Sequence, residues 1–255
     1  MHISKNNFIN KLRCTKCKSG KIDLLENEAV CRSCNSHFPL LNSIINFYDT
    51  QNANSEIISS QPKLFDNQKL YEFINFTLLR RFNSRIDIDI NKYIEGKEVL
   101  DIGCGPKPNF YDPALTSLHA GVDLSLIFLQ RSSKILPNSV FLKASADNLP
   151  FSDNTFDVAL FLFTLHHIPV SHALLLKEAY RITREIIIVF DHNQSSDILR
   201  KFLKEMWWKI KDKGFKYNNK LEWEELLREY NVKEKHLMGK FLENVFEFII
   251  IKSTI

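Results

Sequence analysis

No apolar run in the chain approaches the ~20 residues that a membrane-spanning helix needs. The longest, Ile186 to Phe190 and Phe246 to Ile251, are the length of strands. The first residues, MHISKNNFINKLRCTKC, hold no apolar core long enough for a secretory leader, so a cytoplasmic location is the expectation. Charge of one sign is scarce too: 34 Lys and Arg against 30 Asp and Glu leave a formal +4, which by itself implies no polyanionic partner. Glycine is scarce at 7 residues and phenylalanine abundant at 20, a bias of an AT-rich coding sequence more than of a function. The rest of the balance, 44% hydrophobic and 25% charged in 255 residues, is that of a soluble globular protein. It leaves room for one α/β domain of ordinary size and a small appendage.

The residues that are present organise around Glu98 to Gly105, EVLDIGCG. Val99-Leu100-Asp101-Ile102 reads as a strand buried on both faces. It runs into Gly103-Cys104-Gly105, where a missing Cβ lets the chain turn sharply and a ligand approach the backbone. Strand, glycine turn and helix start build the nucleotide site at the carboxyl end of the first strand in doubly wound α/β sheets. Twenty residues past Gly103, Asp123 in GVDLS is placed to accept hydrogen bonds from both ribose hydroxyls. A dinucleotide fold shares these features, but the turn here reads G-C-G-P-K-P. Pro108 takes the third glycine position, and Pro106 and Pro108 each remove an N–H that a pyrophosphate would use. A cofactor without phosphate suits the turn better.

VLDIGCG, GVDLS and ASADNLPFSDNTFDVALFLFTLHHI, at their spacing, resemble the motifs of class I S-adenosylmethionine (SAM) dependent methyltransferases, specifically the broad methyltransferase type 11 group. The resemblance covers residues 70–250. It implies an α/β fold with a doubly wound, seven-stranded, mostly parallel sheet, and SAM as cofactor. It also implies cofactor contacts at Asp101, Gly103, Gly105, Asp123, Leu124, Ala146, Asp147 and Phe163. The Asp147 carboxylate would accept from the adenine amino group, with the backbone at Ala146 reading the ring. As a turn or helix cap, Asp147 would need no ligand.

Residues 12–48 read as a separate module. Cys14-x2-Cys17 and Cys31-x2-Cys34 are two knuckles 13 residues apart that can give four thiolates to a structural Zn2+. Two disulfides are the competing reading, disfavoured in a reducing compartment. So small a module needs the metal's contribution to fold. The stretch resembles the small zinc-ribbon activator subunit that partners tRNA, rRNA and release-factor methyltransferases, with Asn42-Ser43 in place of that family's aspartate-glycine turn. His37 reads as a surface residue, since four cysteines suffice. The expected division is a zinc ribbon over 1–49, a linker or lid over 50–69 and a methyltransferase domain over 70–255 with a variable cap insertion at 195–217.

Along that domain, an amphipathic helix over 70–82 either covers the cofactor or packs on the sheet. Strands follow at 119–123, 140–143 and 156–162, then a helix over Ser171 to Thr183 with Leu174, Leu175, Ala179 and Ile182 on one face. Thr183-Arg184-Glu185 reads as a short connection into a fifth strand, Ile186 to Phe190. Two final strands, 232–238 and 243–252, read as a hairpin joined at Gly239. Methyl transfer needs a group to take a proton from the acceptor; His166, His167 and His192, at the carboxyl ends of strands four and five, are the candidates. Structural packing is the other reading of each. Asp191 is a secondary candidate, though a turn would also explain it.

No Asn/Asp-Pro-Pro-aromatic motif follows strand four and no cysteine lies near strands four and five, which disfavours amino-adenine and cytosine-C5 methylation of nucleic acids. The favoured acceptor is a small molecule with an O, N or C site. The alternative is an rRNA or tRNA base, gripped by the ribbon and by a basic helix over 200–216. In the insertion, seven basic side chains face three acidic ones; the plainer reading is a cap helix with a solvated lysine face. A further alternative is a SAM-binding regulatory protein that meets a protein partner through the ribbon.

Overall fold

The computed structural model describes residues 8–19, 21–48, 87–108, 110–194, 214–240 and 243–252. The expected linker at 50–69, the helix at 70–82 and most of the insertion, 195–213, lie outside the described residues.

The glycine-led strand forms where its apolar run predicts: β5 is Glu98–Ile102, with Val99, Leu100, Asp101 and Ile102 all buried. Around it lie β6 (Leu118–Asp123), β7 (Val140–Lys143), β8 (Phe156–Leu162) and β9 (Thr183–His192), all parallel. The antiparallel pair β10 (Val232–Lys240) and β11 (Glu243–Ile251) completes the edge, giving the order β7-β6-β5-β8-β9-β11-β10. Seven strands, mostly parallel, is the expected sheet.

Strands this apolar bury both faces. Successive residues of β9 divide between two cores: Ile187 and Val189 join Phe156, Phe161 and Leu176, while Ile188 and Phe190 join Val99, Leu160 and Ile249. On the first face α3 (His172–Ile182) buries Leu175, Leu176, Ala179 and Ile182. Leu174, expected on that stripe, is 55% exposed and Leu176 takes its place, because the i, i+3, i+4 row from His172 passes through 175, 176 and 179. The preceding helices are α1 (Asn91–Ile94) and α2 (Leu126–Ile135), the latter capped by the Ser125 hydroxyl.

Two boundaries differ from expectation. Thr183-Arg184-Glu185 is no connection: β9 starts at Thr183, the residue that caps α3, because Arg184 is held by Asp157 and Glu98 in extended backbone. The β10–β11 hairpin does not turn at Gly239, which pairs with Asn244; β10 continues to Lys240 opposite Glu243.

The cysteine module is built of β1 (Ile22–Leu24), β2 (Glu28–Cys31), β3 (His37–Leu41) and β4 (Ile44–Asn46), antiparallel throughout. Asn42 and Ser43 join β3 to β4 with φ of 52° and 66°, the positive values that both central residues of a two-residue type I′ turn require. The module is continuous with the sheet. Strand β4 pairs in parallel with β7, Ile45 opposite Leu142 and Asn46 opposite Lys143, so the two assemble into one eleven-stranded sheet. Leu12 bridges Phe151, and Phe8, Phe38 and Phe47 share a core with Leu142, Leu149 and Phe151.

Candidate active site

Five parallel strands end side by side, and the loops that leave them carry the sequence-predicted cofactor and proton-acceptor residues. Asp101 lies at the end of β5 with Gly103 and Gly105 after it, Asp123 ends β6 with Leu124 after it, Ala146 and Asp147 follow β7, Phe163, His166 and His167 follow β8, and His192 ends β9. This is the edge at which open α/β sheets bind ligands.

The glycine turn is fixed by its neighbours. Gly103 has φ of 74°, and a Cβ there would lie 2.1 Å from Thr164 Cγ2, so the position admits no side chain. The Thr164 hydroxyl donates to the Gly103 carbonyl at 3.2 Å, tying the end of β8 to the turn. Gly105, φ 59°, is different: a Cβ there would meet nothing within 4 Å, so its backbone borders open space. Its N–H donates to Asp123 Oδ2 at 3.0 Å, while Ser125 N–H donates to Oδ1 at 2.7 Å. Burial raises the Asp123 carboxyl above its ordinary range, against these N–H donors and the nearby His167 that lower it. Each carboxylate oxygen keeps a second lone pair for a ribose hydroxyl. Among the described residues no α-helix starts between Gly103 and Ser125, only a 3-10 turn at Pro113–Leu115. A pyrophosphate would find no helix N-terminus in that stretch.

Asp147 is exposed and its carboxylate accepts from the Ser145 hydroxyl two residues back. Ala146 beside it is buried. Asp101 is 3% exposed, and its carboxylate takes the Tyr111 hydroxyl at 2.8 Å.

The histidines gather at the mouth. His166 lies in a 3-10 turn, Leu165–His167, and is 1% exposed. Its Nδ1 meets Asp191 Oδ1 and its backbone N–H donates to Asp191 Oδ2 at 3.1 Å. The His192 N–H donates to Asp191 Oδ1 at 2.6 Å. Burial would raise the Asp191 carboxyl, but the adjoining His166 and His192 imidazoles and these donors hold it below its ordinary value. An ionised Asp191 beside Nδ1 favours the His166 tautomer that carries its proton on Nδ1. The His166 ring lies 4.1 Å from His167 and 4.8 Å from His192, centroid to centroid, and stacks on Tyr217 at 5.2 Å. Phe215 N–H donates to the His166 carbonyl at 2.7 Å, so the end of the insertion closes over this histidine.

Phe163 has a positive φ of 57°, uncommon for a bulky residue and typical of strain held at a working site. That backbone sets its ring 5.2 Å from Phe110 and 5.3 Å from His192, an apolar wall beside the histidines. Phe110, Tyr111, Thr164 and Tyr217 were not singled out in the sequence. Tyr217 had no signal, since its place depends on the path of the insertion; Phe110 and Tyr111 stand two and three residues past Pro108.

At the other edge of the sheet, Cys14, Cys17, Cys31 and Cys34 bring four sulfurs within 4.8 Å of one another, and none is in a disulfide. Cys14 and Cys34 Sγ are 3.6 Å apart, and Cys17 and Cys31 Sγ 3.7 Å. A tetrahedral zinc with Zn–S bonds of about 2.3 Å separates its sulfurs by nearly that distance. The four thiols can hold such an ion. His37 is not among them; its ring pairs with Glu28.

The fold, with its glycine turn at the end of β5, is shared with solved structures described as methyltransferases. Residues 100–189 match the family described as "Methyltransferase domain". The demethylmenaquinone methyltransferase of Paenarthrobacter aurescens (strain TC1) is 33% identical over 132 residues, which cover 48% of this chain and 51% of that one. The chain thus spans about half the length of the curated relative it matches. Among solved structures, a putative methyltransferase of Bacillus halodurans aligns with a TM-score of 0.52 at 15% identity, covering 64% of this chain and 94% of that one. A SAM-dependent methyltransferase of Methanosarcina mazei also gives 0.52, at 17% identity over 64% and 96% of the two chains. Among the described residues no helix is long and apolar enough to cross a membrane.

Proposed function

We propose that the protein transfers the methyl group of SAM to an O, N or C atom of a small molecule, with His166 as proton acceptor. The observation that carries this reading is the buried Asp191–His166 pair at the carboxyl ends of β8 and β9, beside the glycine turn of β5. SAM, when bound, supplies an electrophilic methyl on a sulfonium. Gly103 and Gly105 let the backbone approach it, Asp123 holds the ribose and Asp147 meets the adenine amino group. Leu124 and Ala146 flank the ring, and Asp101 answers the positive charge of the amino-acid end. Phe163 and Phe110 align the acceptor's apolar body and exclude water, which suits an in-line displacement. His166 takes the acceptor's proton while Asp191 stabilises the imidazolium that forms. His167 and His192 border the same space. The curated relative is named for demethylmenaquinone, and an acceptor with an apolar body would fit the Phe110–Phe163 wall. The four thiolates would hold a structural Zn2+, and the ribbon would serve as scaffold.

The test is uptake of labelled methyl from SAM across a panel of small acceptors and bulk tRNA and rRNA. Uptake by a small acceptor that Asp191→Asn reduces is the expected result. Uptake confined to RNA, with an affinity that falls steeply in salt, would contradict it and assign a nucleic-acid acceptor.

A further inference from the structure

Asp101 stands two residues before Gly103, and a chain of hydrogen bonds leads away from it through the protein. Its Oδ2 accepts from the Tyr111 hydroxyl at 2.8 Å; the Tyr111 oxygen lies 2.8 Å from His119 Nε2; His119 Nδ1 lies 2.8 Å from Ser139 Oγ. Asp101, Tyr111 and His119 are all buried, at 3%, 8% and 3% exposure. The sheet register explains the meeting. Val99 pairs with His119 and Asp101 with Gly121, which puts Asp101 and His119 on one face, diagonally apart, with Tyr111 lying over both. Gly121 keeps the place clear, since a Cβ there would lie 2.8 Å from Phe141 and from Cys104 Sγ.

The proton positions follow from counting donors. Tyr111 has one hydrogen and gives it to Asp101, so His119 must donate from Nε2 to the tyrosine oxygen. A neutral imidazole then accepts at Nδ1, and the Ser139 hydroxyl donates to it. Burial lowers His119 to about 4, which keeps it neutral as the chain requires. Each hydrogen in the series thus points toward Asp101, and such chains polarise one another.

We propose that Tyr111 and His119 are positioning residues that keep Asp101 ionised at the glycine turn, so that it can receive the ammonium of the cofactor's amino-acid end. The proposal rests on the cofactor reading above. A carboxylate so deeply buried loses its charge unless donors hold it. Burial does raise Asp101, to about 7, with Asp123 adding to the rise and the Tyr111 hydroxyl opposing it. The other titratable group against it is the buried Cys104 thiol, raised well above its ordinary range and therefore uncharged. Because burial raises Asp101 to about 7 and only its charged form meets an ammonium, affinity for a ligand bearing an ammonium should tighten as the pH rises. Without the Tyr111 hydroxyl the midpoint should move further up.

Calorimetric titration with S-adenosylhomocysteine, which carries the ammonium but no sulfonium, at intervals from pH 5.5 to 8.5 tests this. For Tyr111→Phe the midpoint of the affinity profile should rise by about one unit, with about fivefold weaker binding at pH 7. His119→Leu should act in the same direction and His119→Gln, which keeps a donor toward Tyr111, should restore the profile. Ser139→Ala, half-buried at the far end and least disturbing to the fold, should shift it slightly the same way. An unchanged midpoint in the Tyr111→Phe and Ser139→Ala proteins would overturn the proposal and leave the cofactor reading standing. No binding by the wild type at any pH would overturn both.

Discussion

His166 owes its orientation to Asp191, and the two contacts they share separate the chemistry of this histidine from that of its neighbours. Asp191→Asn keeps the shape but lets the imidazole take the wrong tautomer. Methyl transfer to a responsive acceptor should fall by about 10²-fold or more in kcat, the usual contribution of a general base, with cofactor affinity unchanged. Steady-state kinetics alongside calorimetry separates the two quantities. Glu247 offers a second residue-scale expectation. It is fully buried on β11, its Oε2 accepts from the Asp87 and Ile88 N–H groups, and Oε1 has no partner among the described residues. Burial raises its carboxyl, with Asp87 adding and His236 opposing. Such a group contributes stability that is present below its unfolded value and is lost as the pH rises through the folded one. Glu247→Gln should therefore gain in melting temperature relative to wild type at pH 8 compared with pH 5; an equal offset at both pH values would contradict this. Sequence alone singles out the cysteines, the glycines and Asp123 by fixed local spacing, and Asp147, His166, His167, Asp191 and His192 only one by one, by their place at strand ends. The pairing of His166 with Asp191 was out of reach, because 25 residues separate them and only the adjacency of β8 and β9 brings them together.

The glycine turn between β5 and the Pro113–Leu115 turn is the element on which the site depends. Gly103→Ala forces a Cβ into Thr164 at a positive φ, two costs at once. The backbone strain alone is about 1–3 kcal/mol, and at about 2–4 °C per kcal/mol for a domain of this size the melting temperature should drop by several degrees. Pairing the change with Thr164→Ser or Thr164→Gly, which shortens the obstructing side chain, should recover part of the loss; no recovery would place the cost in the backbone alone. At this scale strands were legible wherever an apolar run was bounded by turn residues, as for Glu98–Ile102, Val140–Lys143 and Phe156–Leu162. Boundaries failed where a tertiary contact overrode local preference. Arg184 extends β9 backwards by reaching Asp157 and Glu98, and cross-strand pairing carries β10 past its glycine.

At the scale of the molecule the sheet has two ends and two edges with different tasks. The carboxyl ends of the parallel strands hold the polar site residues, while the opposite end is tied by ions: Arg184 to Glu98 and Asp157, Lys11 to Glu98, Lys97 to Glu185. Lys11 comes from the cysteine module, whose backbone also exchanges hydrogen bonds with Pro150 and Ser152 and whose β4 extends the sheet at β7. Cysteine spacing foretells the thiol cluster, because four ligands in two knuckles are a local pattern. It says nothing of the edge where the module docks, since edge-strand pairing leaves no mark on either sequence. Chelation under mild thiol modification should release one zinc per chain and lower the melting temperature of the whole domain; a release that leaves the transition unmoved would show the module to be energetically separate. The central claim, that the strand-end cradle is a SAM site, is tested most directly by titrating the zinc-loaded protein with SAM and repeating it with Asp123→Ala. The account predicts binding by the wild type, weakened in the variant by about 10–100-fold, the worth of hydrogen bonds to a charged group. Absence of binding in the wild type, or equal binding by the two, would contradict it.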